Sequence, residues 1–300
     1  MPLSQWSRTR VELAQRPDGS MVAVPAPSLD SPTDPEPADT AAEVAGDVEP
    51  AVEDRGSTAV DAEASLVEPQ EVASDDVPAP AVRFEHPGTI LVPSGAKARA
   101  RANIAAAQIA VACRDANRAA TPAEQQLLSQ WSGWGAAPDI FDPNKADWAA
   151  ERTQLRELLN AEDYDSARRS TLNAHYTDPR LVSAMWDTLR DTGFDGGRVL
   201  EPGCGSGTFM AMAPEDAVMV GVEKDPMTAQ IAHLLNPQAQ VRLEGFETTT
   251  VPQGAFAATI GNVPFAKTAV HDPVYNPDYR YNLHNHFLIK SLHLTAPGGW

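Results

Sequence analysis

Val199-Leu200-Glu201-Pro202-Gly203-Cys204-Gly205-Ser206-Gly207-Thr208-Phe209 reads as a buried strand, a glycine turn and the first residues of a helix. Val199 and Leu200 close an apolar run. Gly203, Gly205 and Gly207 allow positive φ and a close approach of the main chain to a ligand. Such a turn lies over the C-terminal end of its strand, where open α/β sheets take their ligands. Glycines at this spacing, taken alone, suit a plain β–α turn equally well.

Two details narrow the choice. Thr208 stands where a dinucleotide fingerprint has its third glycine. Glu223 follows Gly203 by 20 residues and ends the run Ala217-Val218-Met219-Val220-Gly221-Val222. An acid there can hold ribose hydroxyls. With Glu201-Pro202 ahead of the glycines, the stretch resembles the cofactor turn of S-adenosylmethionine (AdoMet) methyltransferases more than an NAD site.

Outward from this turn the pattern alternates. Strands are expected at 198–200, 217–223, 240–243 and 256–260, with helices starting near Thr208 and spanning 226–235 and 284–294. That is a parallel sheet with helices on both faces. The fold class is therefore α/β, a Rossmann-like sheet that stops after its fourth strand and the helix that follows. On this reading the sheet is C-terminally incomplete. A helix over 179–192 precedes it, carrying Leu181, Val182, Met185, Trp186 and Leu189 at helical spacing.

Residues 83–172 read as a helical segment. One helix spans 95–118 and carries Lys97, Arg99, Arg101, Arg114 and Arg118, a basic set that suits a solvated face better than a phosphate-contacting one. Thr121-Pro122-Ala123-Glu124 is a capping box with proline at the first helical position. Trp131-Ser132-Gly133-Trp134-Gly135 reads as a packing anchor. Further helices are expected over 146–159 and 162–171.

The N-terminal part differs in kind. Residues 1–90 hold 18 of the chain's 41 acidic and 5 of its 23 basic side chains, so the remainder is close to balanced and its charge decides nothing about nucleic acid. Residues 17–82 are rich in Ala, Pro, Asp, Glu and Ser, a composition that cannot bury enough apolar area to offset chain entropy. An unstructured tail over 1–82 is expected, with a short helix over 1–16 at most. The domain division is thus tail 1–82, helical segment 83–172 and AdoMet-dependent domain 173–300. Cys113 and Cys204 are the two cysteines, so neither a disulfide framework nor a zinc cluster is indicated. With no apolar leader or membrane-length run, the reading is of a soluble, cytoplasmic protein without metal or membrane.

A second constellation lies at the end of the fourth strand: Ile260-Gly261-Asn262-Val263-Pro264-Phe265. An exocyclic amine is a poor nucleophile because its lone pair is delocalised into the ring. Two acceptors aimed at its hydrogens favour a pyramidal nitrogen, and the Asn262 side-chain oxygen and the Val263 carbonyl are candidates. Phe265 is placed to stack on an extruded base. A sulfonium methyl as electrophile needs no metal. Tyr275, Tyr279 and Tyr281 in the loop 266–282 either pack or touch DNA around such a base. His284 and His286, on a helix, diverge by about 200° and are assigned to capping and packing.

These residues resemble the amino-methylating DNA methyltransferases of the N6-adenine type, whose motif is Asn/Asp-Pro-Pro-Tyr/Phe. Val263 replaces the first proline. The resemblance is closer to the N-terminal methylase part of the large antirestriction methylase-helicase proteins of phages and conjugative elements. Trp134-Gly135, Phe141-Asp142, the run 170–177, Gly245-Phe246-Glu247, 261–265 and His284-Asn285-His286-Phe287 carry it. It implies DNA as partner, a helicase region or subunit downstream, and AdoMet as cofactor. It also implies contacts to the cofactor from Tyr176, Thr177, Glu201, Gly203, Gly205, Gly207, Glu223, Phe246 and Glu247. Asn262, Val263, Pro264 and Phe265 would be the catalytic set. The implied function is methyl transfer to adenine N6 in DNA, protecting mobile-element DNA from restriction. Two alternatives stand beside it: an RNA or protein-glutamine amine as acceptor, and a non-catalytic AdoMet-binding module of a larger assembly.

Overall fold

The computed structural model describes residues 11–15, 21–25, 81–171 and 176–300. β1 (Val11–Gln15) and β2 (Met21–Pro25) form an antiparallel pair with Leu13 opposite Ala23. The sequence suggests a short helix over 1–16 at most and an unstructured tail over 1–82; the described part of that tail is this strand pair, residues 81 and 82 aside. Val22 and Val24 favour strand, and Asp18-Gly19 between the two runs is a hairpin signal. The rest of the 1–80 span, and with it most of the expected tail, lies outside the described residues.

The described residues from 81 to 300 pack in one compact unit. Its centre is a parallel sheet of order β5-β4-β3-β6, built from β3 (Gly197–Pro202), β4 (Ala217–Glu223), β5 (Gln240–Leu243) and β6 (Ala258–Thr259). Val199 pairs with both Met219 and Ala258, and Val222 with Arg242. This is the Rossmann-like sheet expected from the glycine stretch. The chain moves outward from β3 through β4 to β5, then returns to lay β6 on the other side of β3. The switch point falls between β3 and β6, where such sheets form their ligand crevice. At the outer side of β6, Trp300 N–H donates to Ala257 O (3.1 Å) and Trp300 O accepts from Thr259 N–H (2.8 Å), a parallel pairing.

Side chains of the buried strands alternate between two cores. Val199 and Met219 face one cluster with Val182, Trp186 and Phe209. Leu200, Val220 and Val222 face the other, with Phe246, Phe287 and Leu294. The first face is covered by α5 (Pro179–Asp191), α6 (Thr208–Ala211) and α7 (Pro226–Leu235), the second by α8 (Leu283–Leu294).

A third layer lies beyond α7. It comprises α1 (Ala96–Asp115), α2 (Pro122–Leu128), α3 (Ala149–Leu158) and α4 (Ala161–Ser170). Ile104, Leu128, Trp131 and Trp134 share one core with Met227, Ile231, Leu234 and Leu235 of α7. α7 turns Ala229 and Ala232 to the sheet and is apolar nearly all round because it is sandwiched. Arg83 fastens the entry of this layer by donating to the carbonyls of Met210, Ala211 and Ala213. Of the cations of α1, Lys97 and Arg101 are ion-paired with Glu151 and Arg114 with Asp163, and Arg118, just beyond the helix end at Asp115, meets Glu124. Among the described residues no helix is long and apolar enough to cross a membrane.

Candidate functional site

The turn after β3 takes the conformation its glycines permit, with φ of 68° at Gly203, 55° at Gly205 and 82° at Gly207. Gly207 is the N-cap of α6 and has no room for a side chain. A Cβ there would stand 2.6 Å from Asn236 Nδ2 and from Met210 Cε. At Gly205 a Cβ would meet Tyr176 Cε1 at 3.3 Å, so the Tyr176 ring lies against the turn.

Glu223, the last residue of β4, closes onto the same turn. Its Oε2 accepts from Gly205 N–H at 3.0 Å, and its Oε1 accepts from Lys224 and Asp225 N–H at 2.8 Å each. A carboxylate has roughly four acceptor positions, so about one remains for an outside donor. Burial pushes the carboxyl up to about 7, with the charge of Asp225 adding to the shift and the three amides opposing it. Glu201 is more deeply enclosed, at 3% exposure. It accepts from the Met210 main chain, and its Oε2 has no partner. Burial, then the nearby Glu223 charge, raises its pKa well above the usual carboxyl range.

The layer outside α7 reaches this region directly. Trp131 Nε1 donates to Thr228 Oγ1 (3.2 Å), which donates to Asp225 Oδ2 (2.7 Å). Asp225 is the N-cap of α7, accepting from Thr228 N–H, and its own N–H is one of those on Glu223. The Tyr176 hydroxyl joins the same group through Thr228 and Trp131. Sequence reading took Trp131 for packing alone and missed Thr228 and Asp225. The Asp225-Pro226 cap signal directly after Glu223 was the clue available. Of the run 170–177, residues 172–175 lie outside the described residues.

The second constellation sits at the end of β6, beside the turn. Pro264 Cδ lies 3.9 Å from the place a Gly203 Cβ would take. Asn262 is exposed and, with Thr177, Leu181, Met185 and Gly261, lines a cleft of about 370 Å³ along α5. Val263 is half-buried against the α8 core. Phe265 is 68% exposed, one face stacked on His284 at 5.2 Å and 22°, the other open.

In the turn after β5, Phe246 is 1% exposed and its ring packs on Phe287 at 4.7 Å. Glu247 is paired with Lys224 at 2.9 Å; burial pushes its carboxyl up, but the lysine hydrogen bond prevails and holds it lower. His286 packs as expected, fully buried against Phe246 and Phe287, but is not the cap of α8; its Nε2 lies 2.9 Å from Asp272 Oδ2. Asn282 caps α8 instead. Among the described residues no group of His, Cys, Asp and Glu is arranged to hold a metal.

No protein-family profile matches the chain. Over 160 residues, 51% of the chain, it is 28% identical to Defense against restriction protein B of Escherichia phage P1. It spans 7% of the length of that relative. Among solved structures it is similar to geranyl diphosphate C-methyltransferase from Streptomyces coelicolor A3(2), with 19% identity, covering 53% of this chain and 50% of that one at a TM-score of 0.30. It is also similar to an S-adenosylmethionine dependent methyltransferase from Mesorhizobium loti, with 23% identity, 39% and 50% coverage and a TM-score of 0.27. Overlays of this extent add nothing to the fold assignment, which rests on the sheet order and register of the chain itself.

Proposed function

We propose that the chain is the cofactor- and target-binding region of an AdoMet-dependent methyltransferase acting on the exocyclic N6 amine of adenine in DNA. One observation carries this reading. The glycine turn with its bound acid and the stretch Asn262-Val263-Pro264-Phe265 meet at a single switch point, with Pro264 packed beside Gly203.

The residues fit the cofactor. The turn is left-handed at Gly205 and Gly207, where a side chain would crowd Tyr176 and Asn236 respectively, the enclosed Glu201 Oε2 lacks a partner, and Glu223 keeps acceptor capacity. Tyr176, Thr177, Glu201, the main chain of 203–207 and Glu223 would hold it, with Glu247 close by and Phe246 as backing. When bound, AdoMet supplies a methyl group made electrophilic by its sulfonium. The ribose hydroxyls would donate to Glu223, best in its ionised form.

The rest of the work falls to the β6 end. The Asn262 amide oxygen and the Val263 carbonyl accept the two hydrogens of the amine and localise its lone pair, an interaction that strengthens toward the transition state. Phe265 offers its open face to the base, as aromatics do for extruded bases. His284 behind it keeps that face presented. Holding the amine and the methyl donor in line supplies the remainder by proximity.

The similarity to the phage defence-against-restriction protein supports a role in guarding DNA against restriction, within a protein longer than this chain. Tritiated methyl transfer from AdoMet by the complete protein tests the reading, with unmethylated DNA, RNA and protein acceptors side by side. Label recovered as N6-methyladenine from DNA supports it. Label recovered only from RNA or from a glutamine amide contradicts it.

A further inference from the structure

α8 reaches three parts of the proposed site: Phe287 stands beside Gly203, His284 stacks on Phe265 and Lys290 bonds to the turn 245–247. Lys290 is 1% and His286 0% exposed, and Asp272 of the facing loop is 2% exposed. Lys290 Nζ donates to Phe246 O at 2.7 Å and to Asp272 Oδ2 at 2.8 Å. Asp272 belongs to the loop 266–282, downstream of Phe265, and its Oδ1 accepts from Val274 and Tyr275 N–H. The ammonium also lies over the rings of Phe246 (5.1 Å) and Tyr275 (5.3 Å). One turn earlier, Phe287 Cε1 stands 3.4 Å from the Gly203 Cβ position.

Burying an ammonium and a carboxylate carries a desolvation cost that their attraction has to offset, and apolar residues of similar size often do as well. What the charges add is direction. Lys290 is satisfied only when the turn 245–247 and the loop 266–282 both hold their places. The turn is in its turn fastened to the residue after Glu223 by the Glu247–Lys224 pair.

We infer that Lys290 and Asp272 are positioning residues that transmit occupancy of the cofactor turn to the loop 266–282, so that cofactor binding orders the loop that frames the target amine. This rests on the function proposed above. Since coupling between two sites is reciprocal, target DNA would tighten the cofactor by the same factor.

The test follows amide hydrogen exchange in 266–282 with and without S-adenosylhomocysteine, whose affinity is measured separately by calorimetry. In the unaltered protein, saturation should slow exchange in the loop by about fivefold or more, the lower range of allosteric coupling. Combining Lys290→Met with Asp272→Asn removes both charges, keeps Oδ1 for the two amides and leaves the new side-chain amide facing His286 Nε2, which can accept from it. This variant should bind S-adenosylhomocysteine within about threefold of the unaltered protein, yet leave loop exchange unresponsive. Lys290→Gln serves if the double change does not fold. A loop that ignores the ligand in the unaltered protein, or responds equally in the variant, overturns the coupling alone. Absence of any calorimetric binding overturns the functional reading and the coupling with it.

Discussion

The main-chain N–H of Gly205 donates to Glu223 Oε2 at 3.0 Å, joining the turn after β3 to the acid that ends β4. Two strands separated by a helix thus present one surface: left-handed main chain on one side, a carboxylate on the other. Each depends on its partner, because a shifted turn would leave the carboxylate with fewer donors. Predictions follow from that dependence.

Glu223→Gln should weaken AdoMet by about 1.5–3 kcal/mol, the range for a hydrogen bond to a charged group. In the unaltered protein, affinity should rise with pH toward and past about 7, where the carboxyl ionises, and the variant should lack that rise. Calorimetric titration between pH 5.5 and 8 checks both points. An equal pH dependence in the variant would assign the titration elsewhere.

The same carboxyl bears on stability without cofactor. A group whose folded pKa is raised stabilises most below its unfolded value and loses that contribution as pH climbs to the folded one. For Glu223 the loss runs from about 4.5 to about 7. Urea midpoints of Glu223→Gln should therefore gain on the unaltered protein across that interval. A constant difference would contradict the shift.

Gly207→Ala should be more damaging than Gly203→Ala. Both impose φ near the left-handed region on alanine, at about 1–2 kcal/mol. At Gly207 the new Cβ also meets Asn236 and Met210 at 2.6 Å, whereas at Gly203 the nearest atom is 3.4 Å away. Overpacking adds about 1–3 kcal/mol. Denaturant unfolding of the two variants gives the order directly.

Trp131→Phe removes the indole donor to Thr228 while keeping most of the ring. A loss of about 1–2 kcal/mol is expected from the missing hydrogen bond and the smaller ring. Because Thr228 continues to Asp225 and so to Glu223, cofactor affinity should fall as well. Unchanged affinity beside reduced stability would confine Trp131 to packing.

Much of this fold is legible locally. β4, α7 and β5 fall at 217–223, 226–235 and 240–243, because apolar runs and the Asp225-Pro226 cap mark their ends within a few residues. The glycine turn and Glu223 follow from spacing. What could not be read depends on distant pairing. The cations of α1 find Glu151, about fifty positions on, and nothing in their own helix announces it. The link from Lys290 to Phe246 spans 44 positions, and a lone lysine on a helix reads as solvent-facing. The family resemblance implies Phe246 as a cofactor contact, and nothing in its own neighbourhood announces that its ring packs on Phe287, about forty positions on.

Asn262 carries the amino-methyltransferase reading most directly. If its amide oxygen accepts from the target amine, the interaction matters chiefly in the transition state. Single-turnover methyl transfer to DNA by Asn262→Ala, in the complete protein, should drop by about 10²–10³-fold, as for loss of one such hydrogen-bonding group elsewhere. AdoMet affinity and thermal unfolding should stay near those of the unaltered protein, since Asn262 is exposed at the lip of the cleft. Methyl transfer by Asn262→Ala at the unaltered rate would reduce 262–265 to a turn and contradict the amino-methyltransferase reading.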